Sequence, residues 1–242
     1  MSLKDKIVFV TGASGGIGKA IAISLVKEGA KVVLFGGRDA KKLDKVKQEL
    51  SKLGVILGAY AGDLTNDATL NQTFERAIKE VGKIDVLINN AGKAFNCEFE
   101  KTPSSTLDEI MNVNFRAPYM LTQLALPYIK QSNYASIVNI ASIVAHSGYP
   151  LQSAYVASKH ALLGFTKSLA SETYNDGVRV HAISPGGVVT DMIKIARPDL
   201  DTNGMTTPEE IADIVLFLLN NRGNAVIDEI IVHRATKQPF QV

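Results

Sequence analysis

Short apolar runs alternate with longer stretches of helical periodicity from one end of the 242-residue chain to the other. The runs "KIVFVT" (6–11), "KVVLFG" (31–36), "VILGAY" (55–60), "IDVLINN" (84–90), "ASIVNIAS" (135–142), "RVHAISP" (179–185) and "VIDEIIVH" (226–233) read as strands. Between them the pattern predicts helices at about 17–29, 40–53, 66–81, 104–131, 152–175 and 208–221. Strands rich in Val and Ile that do not alternate with polar residues are buried on both faces, as in a parallel sheet covered by helices. The expected fold is therefore α/β: a doubly wound, Rossmann-like parallel sheet of about seven strands with helices on both faces. No shift in composition, Pro/Gly linker or repeat divides the chain, so residues 1–242 are expected to form a single domain.

Composition narrows the function classes. A chain that is 46% hydrophobic and 21% charged can bury one substantial core. Its formal charge of +2, spread over scattered lysines, supplies no field for holding nucleic acid. The longest apolar runs, such as "IVLFLL" (214–219), fall far short of the roughly 20 residues a membrane span needs, and the N-terminus enters a strand with no signal-peptide core. A soluble, cytoplasmic protein with no nucleic-acid or membrane partner is expected. The single cysteine, Cys97, allows no internal disulfide, and His146, His160, His181 and His233 are not at metal-ligand spacing, so no metal is expected.

Chemistry first shows at "VFVTGASGGIGKAIAISL", where glycines 12, 15, 16 and 18 stand between the first strand and the first helix. Glycine lets the backbone turn tightly and approach a diphosphate, which the N–H groups and dipole of the helix N-terminus then hold. The P-loop pattern fails, because Ala13 stands where its first glycine belongs and Ala20 replaces its hydroxyl. The plain GxGxxG pattern fails too; the spacing is TGxxxGxG, carried by Thr11, Gly12, Gly16 and Gly18. Further on, "SAYVASKHALLGF" (153–165) puts Tyr155 and Lys159 four residues apart, on one face of a helix. Taken alone, that pair also suits the wet edge of an amphipathic helix.

Together these motifs resemble the short-chain dehydrogenase/reductase family, from residue 5 to about 192. "NNAG" (89–92) follows the fourth strand, "NVN" (112–114) lies in the long helix expected at 104–131, Ser142 closes the fifth strand, and "PGGVVT" (185–190) follows the sixth. The resemblance implies an NAD(P)-dependent oxidoreductase acting on alcohols and carbonyls, with Asn114, Ser142, Tyr155 and Lys159 as catalytic residues. It implies cofactor contacts from Gly12, Ser14, Gly16, Ile17, Gly18, Arg38, Asp63, Leu64, Asn90, Ala91, Gly92, Tyr155, Lys159, Pro185, Gly186, Val188 and Thr190. Candidate substrate-pocket residues are Lys93, Phe95, Ile143, Val144, Tyr149, Met192 and Ile193.

The residue types suit the reaction. Reducing a carbonyl needs an acid beside its oxygen, and a free phenol, with a pKa near 10, holds its proton about three units too tightly for neutral pH. A neighbouring ammonium favours the phenolate, so Lys159 is expected to lower the pKa of Tyr155. The resemblance adds a Lys159 bond to the nicotinamide ribose and gives Ser142 the substrate oxygen. Pro118 has no N–H to offer the carbonyl of Asn114, four residues earlier, which would suit the water-holding role the resemblance gives that asparagine. A plain kink, or Asn112 in its place, remains open. His146 reads as a pocket wall or loop histidine, since the acid role is already filled.

Cofactor choice rests on "VVLFGGRDAKKL". An acid about 20 residues beyond the glycines would select NAD through the ribose hydroxyls, but Arg38 occupies that place, with Lys41 and Lys42 beyond it. A guanidinium grips a 2′-phosphate, so NADP(H) is expected to be preferred, with NAD(H) possible. Asp39 is either the NAD-selecting acid, one residue displaced, or the N-cap of the next helix. Only the short segment 191–207 is available to cover the pocket. The C-terminal "VIDEIIVHRATKQPF" lacks the Asp-Gly-Gly of relatives that reduce acyl-carrier-protein thioesters. The expected substrate is a small ketone, aldehyde or alcohol, with 3-oxoacyl-thioester reduction and a catalytically silent nucleotide sensor as alternatives. Small residues at 154, 157, 158, 161 and 164 predict close helix pairing in a homo-oligomer, a dimer or tetramer, unless they only let that helix approach its own sheet.

Overall fold

The computed structural model of the protein describes residues 2–196 and 201–238. Its sheet has seven parallel strands in the order β3-β2-β1-β4-β5-β6-β7. In chain order they are β1 (Ile7–Thr11), β2 (Lys31–Phe35), β3 (Ile56–Tyr60), β4 (Val86–Asn89), β5 (Ser136–Ile140), β6 (Arg179–Pro185) and β7 (Glu229–Val232). β1 is buried at every position because successive side chains serve opposite faces. Val8 and Val10 join one core with Ile21 and Leu25 of α1 (Gly16–Lys27), Leu43 and Val46 of α2 (Ala40–Leu50), and a later helix. Ile7 and Phe9 join a second core with Leu70 and Phe74 of α3 (Asp67–Val81).

The predicted helix over 104–131 is a helical path in three parts: α4 (Ser104–Met111), a π-helical segment (Asn112–Arg116) and α5 (Ala117–Ile129). Pro118 accounts for the widening. It cannot donate to the carbonyl of Asn114, and the Ala117 N–H reaches back to Asn112 O in an i→i−5 bond. α6 (Ser153–Thr173) carries the Tyr155/Lys159 pair, α7 (Asp191–Ala196) is a short helix the periodicity did not predict, and α8 (Pro208–Asn220) completes the first core. Thr207 and Glu210 form a reciprocal capping box at the start of α8.

β7 is shorter than its apolar run. Val226 and Ile227 are exposed, and pairing with β6 begins at Glu229 opposite Ala182. Neighbouring strands leave β1 and β4 toward opposite halves of the sheet, so a crevice opens above their C-terminal ends, the usual ligand position in such folds. No helix among the described residues is long and apolar enough to cross a membrane.

Candidate active site

A cleft of about 1240 Å³ lies over those strand ends. Its floor is the glycine turn. Thr11 Oγ1 accepts the N–H groups of Asn90 (2.9 Å) and Ala91 (3.0 Å), and Asn90 Nδ2 donates to Thr11 O at 3.0 Å, so the "NNAG" loop is stitched to the turn. Gly12 (φ 67°) and Gly16 (φ 51°) hold left-handed backbone. A methyl group at Gly18 would lie 2.4 Å from Asn90 Nδ2 and 2.5 Å from Gly12 O, which explains that glycine without any ligand. Gly18 packs behind the wall, while Gly12, Ser14, Gly16 and Ile17 line it. No side chain caps α1 and no acid stands in its first turn, so the positive helix end faces the cleft uncompensated. That donor set fits a diphosphate.

At one end, Arg38 Nε meets Asp63 Oδ2 at 2.9 Å, and Lys42 shares the wall. Burial works to raise the pKa of Asp63; hydrogen bonds from Thr65 and the Arg38 charge outweigh it and hold the carboxylate below its usual range. Asp39 Oδ1 accepts the Lys42 N–H at 2.9 Å, so Asp39 is the N-cap of α2. Lys41 is exposed and off the cleft wall. Leu64 lines the same end and fills the space over Gly36, where a methyl group would lie 2.5 Å from Leu64 Cδ1.

The other end gathers Ser142, Tyr155 and Lys159. The Ser142 hydroxyl lies close enough to the Tyr155 hydroxyl to influence its proton. Ser142 Oγ also accepts the Val144 N–H and donates to Pro185 O, both at 3.3 Å. Lys159 is buried, donates from Nζ to Ile140 O at 2.8 Å, and stands 5.9 Å from the Tyr155 ring centre. Burial lowers the Lys159 pKa to about 8. Burial also raises the Tyr155 pKa, with the Ser142 hydroxyl opposing it. The expected depression of Tyr155 is thus reversed in this structure, because both groups are taken out of water and desolvation disfavours each charged form.

Asn114 is fully buried behind Gly92 rather than on the wall. Its Oδ1 accepts the Lys93 N–H at 2.7 Å, while Nδ2 donates to Lys93 O and Ser158 Oγ, both at 2.9 Å. Ser158 Oγ in turn donates to Tyr155 O at 2.7 Å. A methyl group at Gly92 would sit 3.3 Å from Asn114 Oδ1 and 3.8 Å from Lys159 Nζ, so the amide and the ammonium flank one glycine.

Asn90, Ala91, Gly92, Pro185, Gly186, Val188 and Thr190 all line the cleft, as do Lys93, Ile143, Val144, Tyr149, Met192 and Ile193. Phe95 is half-buried and is not part of the wall; its neighbours Ala94 and Asn96 are. Lys93 pairs with Glu109 at 2.6 Å. Asn96 Nδ2 donates to Ala196 O at 2.7 Å, linking the loop after β4 to α7. Residues 197–200 of the covering segment lie outside the described residues.

His146 is off the cleft wall; its Nε2 is 2.7 Å from Glu229 Oε1, which also accepts from Ser184 Oγ at 2.6 Å. It is a loop histidine that ties the segment after Ser142 to β7. Sequence reasoning did not single out Thr65, Ser147 and Gln152 of the wall, nor His233, Arg234 and Lys237, which follow β7. No group of His, Cys, Asp and Glu suited to a metal occurs among the described residues.

A family model described as short chain dehydrogenase matches residues 6–201. The 3-oxoacyl-(acyl-carrier-protein) reductase of Thermotoga maritima is 32% identical over 241 residues, covering 96% of this chain and 97% of that protein. An alcohol dehydrogenase from Thermococcus sibiricus, crystallised with 5-hydroxy-NADP, superposes with a TM-score of 0.89 at 26% identity, covering 98% of this chain and 99% of that one. A 3-ketoacyl-(acyl-carrier-protein) reductase from Brucella melitensis, crystallised with NADH, gives a TM-score of 0.84 at 28% identity, with 96% and 97% covered.

Proposed function

The chain belongs to the short-chain dehydrogenase family of oxidoreductases, and from that premise we propose that it uses a nicotinamide cofactor, preferably NADP(H), to interconvert a small ketone or aldehyde with its alcohol. The observation that carries the proposal is the Ser142–Tyr155–Lys159 group, standing at the end of the cleft away from Arg38 and sharing a wall with the glycine turn.

When bound, the nicotinamide supplies or accepts the hydride at the substrate carbon. The protein's part is to hold the oxygen and move its proton. Ser142 Oγ and Tyr155 Oη, which share the cleft wall, offer two hydroxyls to a carbonyl oxygen. Tyr155 donates its proton to that oxygen in reduction and removes it in oxidation. The Lys159 ammonium, fixed by Ile140 O, stabilises the phenolate left behind. Asn114 positions the Lys93 backbone and, through Ser158, the first turn of α6. Gly12, Ser14, Gly16 and the α1 N-terminus would hold the diphosphate, and Arg38 a 2′-phosphate.

The likeness to acyl-carrier-protein reductases supports a second reading, 3-oxoacyl-thioester reduction. Loss of NADPH absorbance with a panel of ketones, aldehydes, β-ketoesters and an acetoacetyl thioester tests both. Turnover of the thioester alone selects the second reading, and no turnover with any compound leaves a nucleotide sensor.

The same reading includes a homo-oligomer. On α6, Ala154 and Ser158 face inward, whereas Ala157 is exposed and a methyl group at Gly164 would meet open space. Tyr119 of α5 and Phe165 of α6 pack with 4.9 Å between ring centres, their planes tilted by 44°. This open face of small and aromatic side chains suits a copy of itself across a two-fold axis. A monomeric mass by light scattering at micromolar concentration would rule it out.

A further inference from the structure

The half-buried arginine of the cleft wall, Arg234, has no task in the reaction proposed above. β6 and β7 pair in register at Pro185 and Val232, and the Gly186 N–H donates to Val232 O at 2.8 Å. The chain leaving β7 therefore runs beside Gly186 and Gly187. A methyl group at Gly187 would lie 3.4 Å from Arg234 Cδ and 3.5 Å from Met205 Sδ, so the arginine stem lies against bare backbone there. One at Gly186 would be 3.7 Å from Ile143 Cδ1. The two glycines are thus flanked by Arg234 on one side and, on the other, by the residue that follows Ser142.

Arg234 is half-buried and, among the described residues, its guanidinium has no ion pair or hydrogen bond. Arg38 is engaged with Asp63, Lys93 with Glu109 and Lys159 with Ile140 O, whereas the exposed Lys42, at the Arg38 end, and the exposed Lys237 have no side-chain partner among the described residues; Arg234 alone of these unpaired cations is half-buried. The acids of the wall do not answer it. Asp39 caps α2, Asp63 and Glu109 are paired, and Asp191 is exposed at the start of α7. The Lys237 N–H donates to Arg234 O at 2.9 Å, a turn that adds Lys237 and His233 to the same wall. A partly desolvated guanidinium with five free donors matches a planar carboxylate.

We propose that Arg234 is a specificity-determining residue that receives the carboxylate of the substrate, so that the protein acts on short oxo acids and hydroxy acids in preference to their neutral counterparts. This rests on the oxidoreductase reading: the carbonyl lies at Ser142 and Tyr155 while the acid group reaches across Gly186 and Gly187 to the guanidinium.

The test compares kcat/KM for pyruvate and acetoacetate with that for their ethyl esters, in wild type, Arg234→Leu and Arg234→Lys, with the melting temperature of each variant checked. The leucine variant is expected to lose about 10- to 100-fold on an acid, the size of a lost charge-assisted hydrogen bond, and less than about threefold on its ester. The lysine variant should recover part of the loss, and NADPH affinity should stay unchanged. Equal losses on acid and ester, or no loss on either, would overturn the proposal. So would a matching loss of NADPH affinity, which would assign the guanidinium to a cofactor phosphate. Calorimetric binding of acetoacetate to the NADP⁺-loaded protein needs no turnover and separates the two readings. Binding that weakens in the leucine variant supports Arg234 even if no carbonyl is reduced, whereas no binding to wild type sinks the proposal.

Discussion

Lys159 Nζ donates to the main-chain oxygen of Ile140 at 2.8 Å, which ties the Tyr155/Lys159 face of α6 to the end of β5. Burial lowers this lysine to about 8 and raises Tyr155. The signs combine simply: at neutral pH the phenol keeps its proton and the lysine its charge, and as pH rises the lysine is the first to change. Carbonyl reduction should therefore hold steady up to neutral pH and decline as pH passes about 8, when the phenolate being formed loses its ammonium. A pH profile of kcat/KM that stays level from pH 7 to about 9 would contradict this.

Tyr155→Phe removes one hydroxyl and its proton. Turnover should fall about 10²- to 10⁴-fold, while NADPH affinity, measured by fluorescence titration, stays within a few fold. Residual activity above about a tenth of wild type would move the acid role to another residue.

Arg38→Leu should largely erase a preference for NADPH, read as the ratio of kcat/KM for NADPH and NADH. The variant also removes the guanidinium from Asp63 Oδ2, while Thr65 still donates to Oδ1. Some of the change should then appear as improved use of NADH, because Asp63 is left free to accept from the adenosine ribose. A ratio that does not move would show that Arg38 does not read the phosphate.

Gly18→Ala forces a methyl group to within 2.5 Å of Gly12 O. The backbone contact cannot yield without opening the turn, so a stability loss of about 1–3 kcal/mol is expected by denaturant titration, together with weaker nucleotide binding. An unchanged midpoint with unchanged binding would mean that the turn relaxes freely.

Asn114→Ala leaves the Lys93 N–H and C=O without their side-chain partner. A loss of about 1–3 kcal/mol is expected for leaving these partly buried groups and the buried Ser158 hydroxyl without that partner. Turnover should drop further than stability explains, because Ser158 and the first turn of α6 lose their tether. Full activity in the folded variant would reduce Asn114 to a packing residue.

Much of this was legible in the sequence, and the reasons differ by element. Val and Ile runs such as "KIVFVT" report burial on both faces, so β1 and its neighbours were readable one residue at a time. β7 was overextended because Val226 and Ile227 are apolar yet exposed. The Tyr155/Lys159 spacing gave the pair, but not the direction in which burial moves the phenol, which depends on walls drawn from distant parts of the chain. Pro118 hinted at a disturbed helix; that the disturbance is a π segment placing Asn114 against Ser158, 44 residues away, required the fold. Arg234 belongs to a tail with no periodicity of its own, and only its run beside Gly187 brings it to the cleft.

The strand order β3-β2-β1-β4-β5-β6-β7 also sets an order in time. On a ribosome the first three strands can associate as they emerge, but β1 keeps an open edge until β4, residues 86–89, arrives to pair with it. The glycine turn is stitched only when Asn90 and Ala91 reach Thr11. Synthesis thus delivers the glycine turn and the loop stitched to it well before Ser142, Tyr155 and Lys159. The first 100 residues of the chain contain both sides of that stitch and none of Asn114, Ser142, Tyr155 and Lys159.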